Sequence, residues 1–211
     1  VLKTKKEAII TNSIATELKI HQFLNKYDLC PEILDYDLLN NRTVYEYIEY
    51  PVESSEYNEV FLEIFGKTLS KLHSLDYRNL VIDTFEEKIE GYRNMLSTSN
   101  SIEIQESFAL FDKLYKKPYK LAFCHNDLNK MNIFLDKNMK FIDWEYTGLN
   151  QPIYEIASIK KSFNLSSDQL DIFLKAYGQD FNPNEIEEFE VLVGFIEKIW
   201  QKVTNKLKTH Q

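Results

Sequence analysis

Two carboxylates and a carboxamide stand close together in the middle of this 211-residue chain: Asp127, Asn132 and Asp143. The first two share the run Phe123-Cys124-His125-Asn126-Asp127-Leu128-Asn129-Lys130-Met131-Asn132. The third lies in Phe141-Ile142-Asp143-Trp144-Glu145-Tyr146. Side-chain oxygens of Asn and Asp are the hard ligands that Mg²⁺ prefers, so Asn132 and Asp143 suit a metal held against a phosphoryl donor. A carboxylate outside that metal pair, Asp127, can accept a proton from an attacking hydroxyl. Taken singly, Asp127 reads as a turn residue, Asn132 as a cap and Asp143 as a strand end. Their joint spacing is what points to chemistry.

The flanking residues predict the elements that hold these groups. Tyr119, Leu121 and Phe123 alternate with other residues, which predicts a half-buried strand running into His125. Ile133-Phe134-Leu135 and Phe141-Ile142 predict a short hairpin turning at Asp136-Lys137-Asn138. Asn132 then stands at its entrance and Asp143 at its exit, where the two side chains can face one another.

The pattern His-x-Asp-x-x-x-x-Asn with a later Asp matches the catalytic loop and metal-binding Asp of protein kinases. Those enzymes carry Asp-Phe-Gly where this chain has Asp143-Trp144-Glu145, so the acceptor expected is a small molecule. Phe-Cys-His-Asn-Asp-Leu, then Asn-Ile and Ile-Asp-Trp-Glu-Tyr, resembles the choline/ethanolamine kinase family within the aminoglycoside-phosphotransferase-like group. Weaker resemblance extends to Cys30-Pro31-Glu32-Ile33-Leu34, Tyr45-Glu46-Tyr47-Ile48-Glu49 and Lys71-Leu72-His73-Ser74. The resemblance implies Mg-ATP as phosphoryl donor, Asp127 as base, Asn132 and Asp143 as metal ligands, and His125 as a structural organiser of the loop. Glu145 is a further metal or substrate contact, or a solvated acid. Lys3 matches the lysine that meets the phosphates, with Lys5 and Lys6 as competitors. Glu17 matches its helix glutamate, and the backbone of Tyr47 and Ile48 matches the segment that meets adenine. Tyr146 and Trp200 match positions beside a cationic acceptor, and Trp200 reads equally well as a core residue. One departure counts against choline: Lys160-Lys161 occurs where choline kinases carry an acid. Glu155 itself stands where the family usually has Asp, which shifts that support.

Elsewhere the pattern is mostly helical. Asn12 can cap a helix reaching Lys26, with Ile14, Leu18 and Leu24 inward. Ile33–Tyr36 and Thr43–Ile48 read as strands around the turn Asn40-Asn41. Val60, Phe61, Ile64, Phe65, Leu69 and Leu72 predict a long amphipathic helix with His73 near its end as a packing residue. Phe85, Ile89, Tyr92 and Leu96, then Ile104, Phe108, Phe111 and Tyr115, repeat at helical spacing and read as core. Ser166-x-x-Gln169 is a capping box answered by Gly178. Pro183 opens a final helix striped by Phe189, Leu192, Ile196, Ile199, Val203 and Leu207.

The whole chain sets limits. A net charge of −8 argues against sequence-independent nucleic-acid binding and suits a cationic substrate. With two cysteines there is no disulfide framework and no zinc spacing. No apolar run reaches membrane-spanning length and no secretory signal opens the sequence, so the cytoplasm is the expected location. The chain starts at Val1, and the first of its five glycines is Gly66. A glycine-rich phosphate loop is therefore expected to be truncated away or lost. The expectation is a protein-kinase-like, two-lobed α+β fold, with a partial nucleotide-binding lobe at 1–51, a linker at Pro51–Ser55 and a helical lobe at 52–211. The expected reaction is ATP-dependent phosphorylation of a small amino alcohol, most of all choline. Ethanolamine, thiamine or an aminoglycoside are alternative acceptors. A pseudokinase or binding module is the rival class, which intact Asp127, Asn132 and Asp143 oppose.

Overall fold

The computed structural model describes residues 2–4, 11–48, 57–117, 119–135 and 137–209, the first three by backbone alone. A three-stranded antiparallel sheet ordered β1-β3-β2 comes first: β1 (Leu2–Thr4), β2 (Ile33–Asp37) and β3 (Arg42–Tyr45). Lys3 pairs with Thr43, and β2 carries a bulge between Ile33 and Asp35. Helix α1 (Ile14–Asn25) lies between β1 and β2 in the chain. Its N-cap is Ser13, whose hydroxyl accepts from the Thr16 N–H, and not Asn12. Asn12 is displaced from that job because its amide binds the carbonyls of Trp144 and Thr147. β3 ends at Tyr45, short of the strand expected to reach Ile48. Lys5, Lys6, the Pro51–Ser55 linker and Asp136 lie outside the described residues.

Helices dominate the rest of the chain. Ahead of the central motif are α2 (Glu59–His73), α3 (Phe85–Met95) and α4 (Ile102–Tyr115); after it are α5 (Pro152–Phe163), α6 (Ser167–Tyr177) and α7 (Pro183–Thr209). The Asn58 side chain caps α2, whose Phe61, Leu62, Phe65, Leu69 and Leu72 are buried. Val60, placed on that stripe by periodicity, is exposed, because packing of Phe61 and Phe65 against Phe163 fixes the helix phase. Ser166 and Gln169 form the capping box of α6, and Gly178 ends it at φ 82°, a left-handed position that favours glycine. Helix α7 has 27 residues and extends about 40 Å at 1.5 Å per residue. It buries Phe189, Leu192, Val193, Ile199 and Val203. No helix among the described residues is long and apolar enough to cross a membrane.

Four short strands and a turn hold the central motif between these helices. β4 (Ala122–Cys124) pairs antiparallel with β7 (Gly148–Asn150), and β5 (Ile133–Leu135) pairs with β6 (Met139–Phe141) as the expected hairpin. β4 is shorter than predicted: Tyr119 lies outside it, its hydroxyl bonded to Glu185. A single 3₁₀ turn, Trp144–Tyr146, leads from the hairpin to β7. Phe123, Phe141 and Trp144 are fully buried, each worth roughly 1.5–3 kcal/mol of transfer free energy.

Candidate active site

The loop from β4 to β5 is held by buried polar contacts. His125 is fully buried. Its Nε2 donates to the Ile142 carbonyl at 2.8 Å, so Nδ1 is the acceptor and takes the Asp127 N–H at 3.3 Å. Its ring lies 4.4 Å from that of Trp144. Asn132, also buried, donates Nδ2 to the Asp127 carbonyl at 2.8 Å and to Asp127 Oδ2 at 3.1 Å. The Ile142 N–H bonds the Asn132 carbonyl at 3.0 Å, which closes the hairpin entrance onto its exit and puts Asp143 beside Asn132. Asn126 and Asp143 both take left-handed backbone conformations, at φ 66° and 69°. Such positions cost of order 1–3 kcal/mol outside glycine and persist where the surroundings enforce them.

Asp127 is half-buried and its carboxyl is raised above the ordinary value. Burial is the largest cause, opposed by His125 and Asn129 and reinforced by the nearby Asp143 carboxylate. A carboxylate so raised is a better proton acceptor. Asn132 directs both Nδ2 contacts at Asp127, which leaves Oδ1 as a hard oxygen on the residue whose carbonyl pairs with Ile142, the neighbour of Asp143. That donor set of hard oxygens fits Mg²⁺.

Beneath the loop lies an anchor that the sequence pattern does not reveal. Glu155 on α5 is fully buried, and its Oε1 accepts the Asn126 N–H at 2.6 Å while Oε2 accepts the His125 N–H at 3.3 Å. His73 Nε2 bonds the same carboxylate at 2.7 Å, and His73 Nδ1 bonds the Tyr177 hydroxyl at 2.8 Å. Burial works to raise the Glu155 carboxyl, but hydrogen bonding from His73 and the loop amides outweighs it and leaves it lowered. Helical periodicity marks His73 only as a packing residue. The Lys71-Leu72-His73-Ser74 likeness and the family position occupied by Glu155 are the available signals.

On the other side of Asp127 opens a cavity of about 450 Å³. Tyr92, Tyr146, Tyr154 and Trp200 line it together with Glu145 and Glu197. Trp200 stands 36% exposed at its edge, not in the core, and donates Nε1 to the Tyr146 hydroxyl at 3.0 Å. The two rings meet edge-on at 6.5 Å. Burial pushes the Tyr92 phenol up to about 12, and burial with the Glu145 carboxylate raises that of Tyr146, so both stay neutral. Tyr92, read as core, is both buried and cavity wall. Glu197 of α7, which pairs with Lys161, also lines the cavity.

The remaining candidates belong to the N-terminal sheet, helix α1 and the residues after β3. Lys3 is described only by its place in β1, and Glu17 is buried near the start of α1. Tyr47 is exposed and comes after β3 with Ile48; neither lines the cavity.

The sequence profile of the phosphotransferase enzyme family matches residues 1–189, most of the chain. The chain belongs to that family. Among curated relatives of this phosphotransferase, the LicA homolog of Metamycoplasma hominis is 28% identical over 192 residues, covering 84% of this chain and 72% of that protein. LicA of Haemophilus influenzae is 33% identical over 132 residues, 58% of this chain and only 49% of the relative. The crystal structure of choline kinase LicA from Streptococcus pneumoniae superposes with a TM-score of 0.81 at 20% identity, over 98% of this chain and 78% of that one. The kinase-like α+β fold and the small-molecule kinase class implied by the motif are thereby established for this phosphotransferase.

Proposed function

We propose that this phosphotransferase moves the γ-phosphoryl group of Mg-ATP to the hydroxyl of a small amino alcohol, choline above others. The observation that carries the acceptor is the cavity beside Asp127, walled by aromatic faces and by the carboxylates of Glu145 and Glu197. A quaternary ammonium donates no hydrogen bond, so it is held by aromatic faces and negative charge. The names of the LicA relatives and of the solved choline kinase support the same reading.

In this reading the acceptor's cation rests against Tyr92, Tyr146 and Trp200, and its hydroxyl reaches Asp127. Asp127 takes the hydroxyl proton, its basicity raised by burial. Asn132 and Asp143 hold Mg²⁺, which when bound neutralises the charge of the phosphates. The hydrogen bonds donated by His125 and Asn132 and accepted by Glu155 fix the loop in advance, so the rate gain comes mainly from positioning and preorganised electrostatics. The nucleotide lies between the sheet-bearing part, 1–51, and the helical part, 52–211. In this reading Lys3, Glu17 and the backbone of Tyr47 and Ile48 are the groups assigned to the nucleotide.

The test is ATP consumption measured across choline, ethanolamine, thiamine and an aminoglycoside. Choline should give the highest kcat/KM. A clear preference for ethanolamine would overturn the quaternary-ammonium reading while sparing the kinase one. Absence of turnover with every acceptor would favour a binding module.

A further inference from the structure

The turn after Asp143 has its main-chain carbonyls tied down from outside. Asn12 donates Nδ2 to the carbonyls of Trp144 at 3.3 Å and Thr147 at 3.0 Å, and its own N–H to that of Glu145 at 2.8 Å. Asn126 Nδ2 donates to the Tyr146 carbonyl at 3.2 Å. Lys88, on α3, gives its ammonium to the carbonyls of Tyr146 at 2.9 Å and Thr147 at 2.8 Å. Four consecutive carbonyls are thus held by α3, the catalytic loop and the residue just ahead of the α1 cap.

Lys88 is the charged member of this set and also lines the cavity. A lysine in the wall of a cation site is unfavourable unless its charge is directed elsewhere, and carbonyl dipoles do that. The lysine is brought there by a dock between β7 and the approach to α3. The Leu149 N–H bonds the Asp83 carbonyl at 3.0 Å, and Thr84 bridges Leu149. A Cβ at Gly148 would stand 2.6 Å from that Asp83 carbonyl, so a side chain there would force α3 and its lysine away. What Lys88 holds is the backbone of Tyr146, whose hydroxyl accepts from Trp200.

We propose that Lys88 is a positioning residue for the acceptor. Its ammonium, bound to the carbonyls of Tyr146 and Thr147, sets the place of the Tyr146–Trp200 aromatic corner and hence the affinity for a cationic head group. This rests on the amino-alcohol reading of the cavity. A charge-assisted hydrogen bond is stronger than a neutral one, and its loss is felt where the backbone it holds carries a side chain into a site.

Lys88→Met keeps the aliphatic stem and removes the donor. In steady-state assays with choline and Mg-ATP, its choline KM should rise about tenfold, the weight of the charged hydrogen bond that holds the Tyr146 carbonyl. Its kcat and nucleotide KM should stay within about twofold to threefold, and Lys88→Arg should recover most of the loss. A purely structural role would instead lower kcat and both affinities together. A rise in nucleotide KM alone would assign Lys88 to the phosphates, and a fall in choline KM would mean that its charge repels the cation. Either result overturns the proposal, as does an unchanged choline KM.

A second measurement does not depend on the acceptor. Trp144 is buried, so acrylamide-quenchable emission reports Trp200. Quenching should increase in Lys88→Met, return in Lys88→Arg, and be intermediate in Lys88→Gln, which also serves if the Met variant does not fold. If the wild-type protein phosphorylates none of the acceptors, the amino-alcohol reading fails and the quenching series still decides the role of Lys88. Unchanged quenching with choline kinase activity intact would sink the proposal alone.

Discussion

The two flanks of Asp127 are built on different principles. On the hairpin side, directional hydrogen bonds fix each group: His125 to Ile142, Asn132 to Asp127, and Glu155 to two loop amides. On the cavity side, rings and carboxylates from α3, α5, α7 and the 3₁₀ turn make a wall in which shape and charge matter more than any one bond. The difference teaches where tolerance lies. A directional network loses its function with one atom changed, because a group left unpaired in a buried place carries a full desolvation penalty. An aromatic wall loses a fraction of its attraction per ring, and a neighbouring ring can compensate.

The largest effect should come from Asp127. Asp127→Asn preserves size and most hydrogen bonding but cannot take up the proton. Turnover should fall by about 10²–10⁴, with nucleotide affinity nearly unchanged. In the wild type, kcat/KM should fall on acidification with a midpoint above that of an ordinary aspartate, because this carboxyl is raised and must be ionised to act. By contrast, Asp143→Ala should abolish nucleotide-dependent Mg²⁺ binding in a titration. If Asp127→Asn turned over at near-normal rate, or Asp143→Ala bound Mg²⁺ normally, the division of labour on the hairpin side would be wrong.

Glu155 is the next test, and it reads stability as well as activity. Its carboxyl is lowered below its ordinary value of 4.5, so its contribution is fully present above the unfolded-state value and is lost as pH falls through the folded value. Denaturant unfolding measured against pH should show stability declining on acidification below about 4.5. Glu155→Gln should be less stable at neutral pH, by up to about 3–5 kcal/mol if the buried pair with His73 is broken outright, and flatter across the acid range. An unaltered acid limb would remove Glu155 from the anchor.

The two flanks also differ in how legible they are in the sequence. Asp127, Asn132 and Asp143 sit within one short stretch, so a local hairpin is enough to bring them together. The capping box of α6 and its Gly178 stop are readable for the same reason, since each is a local hydrogen-bond pattern. Glu155 and His73 meet across 82 positions, and nothing in the periodicity of either helix says which polar residue faces inward. Asn12 resembles a helix cap because its type favours caps; a tertiary demand from Trp144 and Thr147 claims its amide, and Ser13 takes over. Tyr92 and Glu197 become cavity wall only when α3 and α7 converge. Their types alone read as a core aromatic and a surface acid.

Trp200 gives the smallest effect and the sharpest view of the cavity side. The ring is anchored by one hydrogen bond to Tyr146 and stands partly in solvent, so it is not a core residue whose loss opens a hole in the fold. Trp200→Ala should therefore leave the unfolding midpoint close to that of the wild type. A cation against an aromatic face is worth about 0.5–1 kcal/mol when exposed and about 2 when desolvated. At this half-open edge the loss predicts an increase in choline KM of roughly threefold to tenfold, with a smaller change in kcat. Trp200→Phe keeps the aromatic face but not the N–H, so it separates the two contributions. If Phe restores choline affinity, the ring face matters; if only Trp suffices, the bond that steadies Tyr146 is what counts. An equal loss for choline and for an uncharged alcohol of similar size would show that the ring acts as an apolar wall, and the cation reading of this flank would fall.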